Sequence, residues 1–280
     1  MVATPIGNLA DIGLRALHVL SLADTVACED TRHTAGLLQG YGLHKPLLAV
    51  HEHNEAEAAL TVVQRLHEGQ RVAYVSDAGT PGVSDPGARL AQAVSAAGLR
   101  CVPLPGPSSI TALMSVAGES GWDGQFVFRG FLSPKAGERQ RDVQALGAEA
   151  RASVVLEAPH RIEALAKDLA TLGERRLTVG RELTKQFEEV AAMPASEFPA
   201  WLQASAHRTR GEFVLLLHPL GATDVEEGLP AESLRILDLL LAELPMKSAV
   251  RLCAEISGQA RNALYEAALV RKKKSDEGEP

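Results

Sequence analysis

Residues 74–87, Tyr-Val-Ser-Asp-Ala-Gly-Thr-Pro-Gly-Val-Ser-Asp-Pro-Gly, constrain the fold more than any other stretch. Gly79, Gly82, Gly87, Pro81 and Pro86 stop a helix or strand from running through it. Upstream, the apolar run Val72–Val75 reads as a buried strand. Downstream, Leu90, Ala93, Val94 and Ala97 recur at helical spacing, with Pro86 suited to the first turn and Asp85 to the N-cap. Strand, long glycine loop, helix is the unit of an open α/β sheet, where ligands sit outside the carboxyl ends of the strands. A plain structural turn uses the same residue types. The length of this one, and its carboxylates Asp77 and Asp85, favour a ligand site.

The unit recurs along the first half. Met1 to Ala3 reads as the tail of a strand whose start is clipped, followed by the turn Thr4 to Asp11. Thr25 to Cys28 is a short strand that ends in Glu29-Asp30-Thr31-Arg32-His33-Thr34. Helix capping accounts for Asp30 and Thr31 but does not require Arg32 and His33. Leu47 to Val50 runs into His51-Glu52-His53-Asn54. The two histidines share a face of an extended chain, but a third ligand at useful spacing is missing, so no metal site is expected. Asn54 and Glu57 resemble a capping box. Leu99 to Leu104 reads as a strand that opens into Pro105-Gly106-Pro107-Ser108-Ser109 at the start of a small-residue helix. Hydroxyls and free N–H groups there suit a polar or anionic ligand, or a simple serine cap. The alternation predicts a mostly parallel sheet. Neither G-x-G-x-x-G after the first strand nor G-x-x-x-x-G-K-[ST] anywhere is present.

In the second half, Gly118 to Gly124 is a linker candidate and Gln125 to Leu132 a strand. The loop beyond it carries Lys135, Arg139 and Arg141, which can face a phosphate backbone or simply water. Ser153 to Leu156 leads to Glu157-Ala158-Pro159-His160-Arg161. Arg176 to Val179 leads to Gly180-Arg181-Glu182-Leu183-Thr184-Lys185. Phe213 to Leu217 follows Arg208-Thr209-Arg210-Gly211-Glu212. An Arg beside a Glu at three strand ends points to a shared polar site. Ala222 to Pro230 reads as an acidic linker. Ser233 to Leu244, Met246 to Ile256 and Asn262 to Leu269 read as helices suited to docking or dimer packing. The expected organisation is an α/β domain at 1–118, a second at 123–221, a helical appendage at 230–270 and a disordered tail at 271–280.

A net charge of −7 over 280 residues excludes a protein held to nucleic acid by bulk positive charge, though not one with a local basic face. Cys28, Cys101 and Cys253 are odd in number and widely spaced, which fits a reducing cytoplasm rather than a disulfide framework or a zinc site. No apolar run reaches the ~18–20 residues of a membrane span, and no signal peptide is expected.

Taken in order, the turns at 4–9, 29–34, 76–87, 105–109, 157–161 and 181–185 resemble the ribosomal RNA small-subunit methyltransferase I group, the RNA-modifying branch of the tetrapyrrole methylase superfamily. The resemblance covers nearly the whole chain. It implies two α/β domains of the tetrapyrrole methylase type with a small C-terminal helical domain, and S-adenosylmethionine (SAM) as methyl donor in the cleft between the two α/β domains. It also implies 2′-O-methylation of a cytidine in the decoding region of 16S rRNA, action as a homodimer, and no metal. Carried over by motif, the donor site comprises Asp77, Gly79, Val83, Ser84, Asp85, Pro105, Ser108, Ser109, Leu156, Glu157, Ala158, Gly211, Glu212 and Phe213. Glu29, Glu182 and Lys185 are the catalytic candidates, since a ribose hydroxyl gains from a base and a cation beside it. Asp30, Arg32, Lys135, Arg139, Arg141, His160 and Arg161 are the RNA-facing candidates. Thr80 stands where the tetrapyrrole branch has Asp, which weakens a tetrapyrrole C-methyltransferase reading. A ribosome-binding factor that keeps SAM without catalysis is the alternative of another class.

Overall fold

The computed structural model describes residues 1–51, 53–118, 124–220 and 231–276. The linkers expected at 118–124 and 222–230 therefore lie largely or wholly outside the described residues. The chain divides into two compact units, 1–219 and 220–280.

The first unit holds two sheets. In the first, β1 (Thr25–Cys28), β2 (Leu47–Ala49) and β3 (Val72–Val75) run parallel in the order β2-β1-β3. The first residues extend this sheet, because the Val2 amide donates to the Tyr74 carbonyl at 2.8 Å and Val2 pairs with Leu104. The strand expected at 99–104 shrinks to that one bridge. Pro103 and Pro105 carry no N–H, so no longer ladder can form there. Strand alternation gives each face its own core. Val26, Cys28, Ala73 and Val75 pack with Ala16 and Leu20 of α1 (Leu14–Leu22) and Leu38 of α2 (Thr31–Gly40). Ala27 and Tyr74 pack on the other side with Ala58, Ala59 and Val62 of α3 (Glu55–His67) and Leu90 and Val94 of α4 (Ala88–Ala96).

The first sheet is parallel as the alternation of the first half predicts, and the second is mostly antiparallel. β4 (Phe126–Phe131), β5 (Ala152–Glu157), β6 (Arg176–Arg181), β7 (Glu189–Pro194) and β8 (Phe213–Leu217) take the order β4-β5-β8-β6-β7. Only β4 and β5 pair in parallel. Apolar runs report burial and not direction, which is why the antiparallel insertion of β8 is silent in the sequence. β7 has no counterpart among the expected strands, since Glu189–Pro194 shows no apolar pattern beyond an edge strand's half-buried one.

The helix α5 (Ser109–Ala117) belongs by sequence to the first domain, yet it packs on the second sheet. Its Ile110, Leu113 and Ala117 meet Ala152, Val154, Val214 and Leu216. This crossing places the start of α5 against the ends of β5, β6 and β8. The opposite face of the sheet is covered by α6 (Ala136–Ala148), α7 (Ile162–Leu169) and α8 (Phe198–Gln203) around Val155, Leu177, Val179, Phe213, Leu215 and Leu217.

The second unit is a helical triplet, α9 (Ala231–Glu243), α10 (Met246–Ser257) and α11 (Arg261–Asp276), built around Leu237, Val250, Cys253, Leu264 and Ala268. Gly258, at φ 69°, ends α10 in the left-handed conformation that a helix stop favours. α11 continues to Asp276, so the tail expected from 271 is shortened; residues 277–280 lie outside the described residues. Among the described residues no helix is long and apolar enough to cross a membrane.

Candidate active site

Within the first unit a cavity of about 370 Å³ lies where the loops of the first sheet face the strand ends of the second, a volume in the range of small-molecule sites. One wall is the glycine loop after β3, through Ala78, Gly79, Thr80, Val83, Ser84 and Asp85. A second is the first turn of α5, through Ser108, Ser109 and Ile110. The opposite side comes from β5 and the residues after it, Leu156 to Pro159, and from Gly180, Leu183, Glu212, Phe213 and Val214. Ile6 and Phe131 close the rest. Ser108 is the N-cap of α5 but makes no side-chain capping bond, so the first turn keeps N–H groups for a polar ligand.

Of the donor-site residues expected from sequence, Gly79, Val83, Ser84, Asp85, Ser108, Ser109, Leu156, Glu157, Ala158, Glu212 and Phe213 line this cavity. Asp77, Pro105 and Gly211 do not. Asp77 stands behind the wall, where its Oδ1 accepts the Asp30 amide at 3.2 Å. Gly211, at φ 89°, leaves room for Glu182: a Cβ there would overlap the Glu182 side chain. The residues missed are the apolar wall, Ile6, Ile110, Phe131, Leu183 and Val214, together with Ala78, Thr80, Pro159 and Gly180.

The catalytic candidates separate into two groups. Lys185 Nζ donates to Glu182 Oε1 at 2.9 Å and Glu212 Oε2 at 3.1 Å, and Glu182 Oε1 also accepts the Glu212 amide at 2.9 Å. Neither Glu182 nor Lys185 forms the cavity wall; both stand against it through Leu183 and Glu212. Burial disfavours the charge on each, but the hydrogen bonds outweigh it. Lys185 is therefore raised above the ordinary lysine range and Glu182 lowered below the usual carboxylate range. Both are charged near neutral pH. Glu29 lies at the end of β1, close enough for its charge to act on Asp85.

Among the carboxylates that line the cavity, Asp85 has a raised proton affinity. Burial raises its pKa first, the negative charges of Glu29 and Asp77 raise it further, and it reaches about 6 against a hydrogen bond from Ser76. Glu157 is 2% exposed. Its Oε1 accepts the Ala158 amide at 2.9 Å and lies 3.1 Å from Arg161 Nε. That approach is an ion pair without hydrogen-bond alignment, and Glu157 Oε2 is buried with no hydrogen-bond partner.

The RNA-facing candidates do not form one cationic face. Asp30 caps α2, accepting the Arg32 and His33 amides at 2.8 and 3.3 Å. Arg32, 92% exposed in its side chain, lies 3.6 Å from Asp30. Lys135 is exposed and paired with Glu138 at 3.1 Å. Arg141 shares a surface dent with Ser133, Glu138 and Asp142, and His160 is exposed. Arg161 donates to the Leu132 carbonyl and is mostly buried. Arg139 is a correction. It is 8% exposed and held by Asp168 at 2.6 Å, because it shares the buried face of α6 with Val143 and Leu146. His51 and His53 lie edge to face, 6.2 Å apart. Among the described residues no three His, Cys, Asp or Glu groups come together as a metal site would require.

The pattern of the family described as Tetrapyrrole (Corrin/Porphyrin) Methylases matches residues 1–199, and that of the RsmI C-terminal HTH domain matches residues 227–272. The chain is 46% identical to the ribosomal RNA small subunit methyltransferase I of Pseudomonas aeruginosa, over 98% of each chain. It is 48% identical to that of Neisseria meningitidis serogroup B, over 98% of this chain and 94% of the relative. Among solved structures, a cobalt precorrin-4 methyltransferase superposes with a TM-score of 0.59 at 14% identity, covering 78% of this chain and 92% of the other. A uroporphyrin-III C-methyltransferase from Thermus thermophilus complexed with S-adenosylhomocysteine gives 0.53 at 18%, covering 77% and 94%. At these identities the structures establish the fold. Near-full-length identity to the named relatives, on top of that fold, goes further: the chain belongs to the tetrapyrrole methylase family and, within it, to the ribosomal RNA small subunit methyltransferase I group.

Proposed function

We propose that this cavity binds SAM and that the chain transfers its methyl group to the 2′-hydroxyl of a cytidine in 16S rRNA of the small ribosomal subunit. The observation that carries the reading is the convergence of the glycine loop, the first turn of α5 with its uncapped N–H groups, and the ends of β5 and β8 on one cavity lined by the carboxylate residues Asp85, Glu157 and Glu212. A cationic ligand with N–H groups fits the carboxylate residues Glu157 and Glu212 on these walls. The apolar side of the wall, Ile6, Ile110, Leu156, Leu183, Phe213 and Val214, fits the uncharged parts of the same ligand.

When bound, SAM supplies a methyl group made electrophilic by its sulfonium. The residues of the chain do the rest. The walls position both reactants and exclude water, which accounts for much of the acceleration such enzymes achieve. Lys185, held as an ammonium by Glu182 and Glu212, stabilises negative charge that develops on the attacking oxygen. Glu182, lowered in pKa and bonded through Oε1 to Lys185 and the Glu212 amide, holds Lys185 rather than taking a proton. Asp85 has a pKa nearer the working pH and sits on the wall, which makes it the better proton acceptor. Glu29 contributes through its charge on Asp85.

The reading also includes a homodimer working in the cytoplasm. RNA binding rests on Lys135, Arg141, Arg32 and His160, interleaved with Glu138 and Asp142. Shape of the assembled subunit then supplies what charge does not. Replacing Lys135 and Arg141 together by Ala is expected to weaken binding to small subunits several-fold and to flatten its logarithmic salt dependence by about one for each phosphate-neutralising cation removed. Arg139→Ala is expected to leave that slope unchanged and to cost about 3 kcal/mol of stability, because it strands Asp168 in a buried site. A salt titration beside a urea melt of each variant separates the two.

The reaction itself is tested with tritiated-methyl SAM and small subunits from a strain lacking this protein. Label recovered in 2′-O-methylcytidine after nuclease digestion is the expected result. Label on a base, on another nucleotide or on a tetrapyrrole instead would contradict the reading.

A further inference from the structure

We infer that Glu55, at the start of α3, is a positioning residue for the donor loop, holding the end of residues 76–87 in the geometry that binds the methyl donor. The inference rests on the reading of the cavity as the SAM site.

The helix α4 begins at Ala88 with Gly87 as N-cap, so neither Asp85 nor any other side chain of the loop caps it. An α-helix start leaves several amides without acceptors. Here one distant carboxylate takes three of them. Glu55 Oε1 accepts the amides of Gly87 at 2.9 Å, Arg89 at 3.0 Å and Leu90 at 3.3 Å, across 32 to 35 residues of chain. The residue is 6% exposed. Hydrogen bonds to an ionised acceptor are stronger than neutral ones, and a negative charge at a helix start is favoured by the dipole.

These bonds complete a clamp on the loop. Its first part is bonded to the N-terminal strand by the reciprocal pair of Thr4 and Gly79, 3.0 Å each way. Thr80 Oγ1 donates to the Pro107 carbonyl at 3.3 Å. Its last part is held by the Tyr74 hydroxyl, which donates to the Pro86 carbonyl at 2.8 Å, and by Glu55 on Gly87. Gly87 packs so close to Tyr74 that a Cβ added there would sit 2.7 Å from its ring. Between the anchors lie Val83, Ser84 and Asp85, which face the cavity, with Ser84 at φ 65°. A non-glycine residue persists in that region only when its surroundings hold it. α3 itself is fixed by its own core with α4 and the first sheet, so the carboxylate is delivered from a rigid element.

The test measures equilibrium binding of SAM, and separate KM values for SAM and for small subunits, in the full chain and three variants. Glu55→Ala is expected to raise the SAM dissociation constant and KM by roughly tenfold, with kcat and the KM for subunits within about twofold, the signature of lost uniform binding at one ligand. Glu55→Gln, which keeps an acceptor oxygen without the charge, is expected to bind SAM twofold to threefold more weakly than the parent chain. Leu20→Ala, in the core on the other face of the first sheet, is expected to lower the thermal midpoint and leave SAM binding unchanged. SAM binding by Glu55→Ala within twofold of the parent overturns the inference. So does an equal loss in Leu20→Ala, or an equal rise of both KM values. If Glu55→Ala does not fold, Glu55→Gln decides alone: a twofold to threefold weaker SAM affinity supports the inference and an unchanged one overturns it. A parent chain that binds no SAM instead contradicts the reading of the cavity, which separates the two failures.

Discussion

Asp85→Asn is expected to lower kcat for methyl transfer by about 100-fold or more, the usual worth of a general base, while SAM binds within about threefold of the parent chain. The reason is the environment of this one carboxylate. Burial, Glu29 and Asp77 raise it to about 6, so near neutral pH it is ionised yet retains useful basicity. In the parent chain kcat should fall as the pH drops through that value, because protonated Asp85 cannot accept the hydroxyl proton; in Asp85→Asn this limb should vanish. Stability should move the other way. A group whose folded pKa is raised contributes stability below its unfolded pKa and loses it as the pH rises through the folded value. At about pH 7.5 the variant is therefore expected to be more stable than the parent by about 1–2 kcal/mol, a figure already reduced for partial solvent screening, and equal to it near pH 4. Urea melts at both pH values read this directly. A kcat within threefold of the parent would remove Asp85 from the proton-accepting role.

The largest expected loss of stability is at a residue far from the chemistry. Arg175 is 4% exposed, and its guanidinium donates to five carbonyls, those of Leu146, Gly147, Glu149, Arg151 and His218, at 2.6–3.3 Å. It thereby ties the end of α6, the approach to β5 and the residue after β8 into one joint. Arg175→Met removes all five bonds, those to Leu146 and His218 buried and the rest part-buried, and is expected to cost about 3–5 kcal/mol, a large share of the ~5–15 kcal/mol that holds a domain together. Arg175→Lys, with three donors on a flexible stem, should lie between the two. A denaturant midpoint for Arg175→Met equal to the parent's would show that water replaces the guanidinium at no cost.

Glycine loops after buried strands are readable because both signals are local. An apolar run marks the strand, and glycine with proline marks the place where it must stop. That is why the loops at 76–87 and 105–109 can be read from sequence as ligand-facing turns, whereas their meeting with Leu156 to Ala158 at one site follows only from the family resemblance. The apolar wall cannot be read this way, since Ile6, Ile110, Leu183 and Val214 look like core residues in a sequence and become wall only where two sheets meet. Arg139 is misplaced by a reading of charge alone, although its signal exists: positions 139, 143 and 146 share a helix face. Asp85 and Asn54 read as side-chain caps on local grounds. In the fold, Glu55 caps α4 from another helix, while Asn54 Oδ1 accepts the His51 amide at 2.8 Å instead of capping α3. Long-range polar pairings of this kind, like the antiparallel entry of β8, leave no periodicity to detect.

The central claim is that SAM occupies the cavity between the glycine loop, the start of α5 and the ends of β5 and β8. The most direct measurement is ultraviolet crosslinking of methyl-labelled SAM to the full chain, followed by peptide mapping. The account predicts label within residues 78–85, 108–110, 156–159 or 212–214, and its disappearance when unlabelled S-adenosylhomocysteine competes. Competed label confined to the helical unit at 231–276, or to the outer helices α6, α7 and α8, would contradict it.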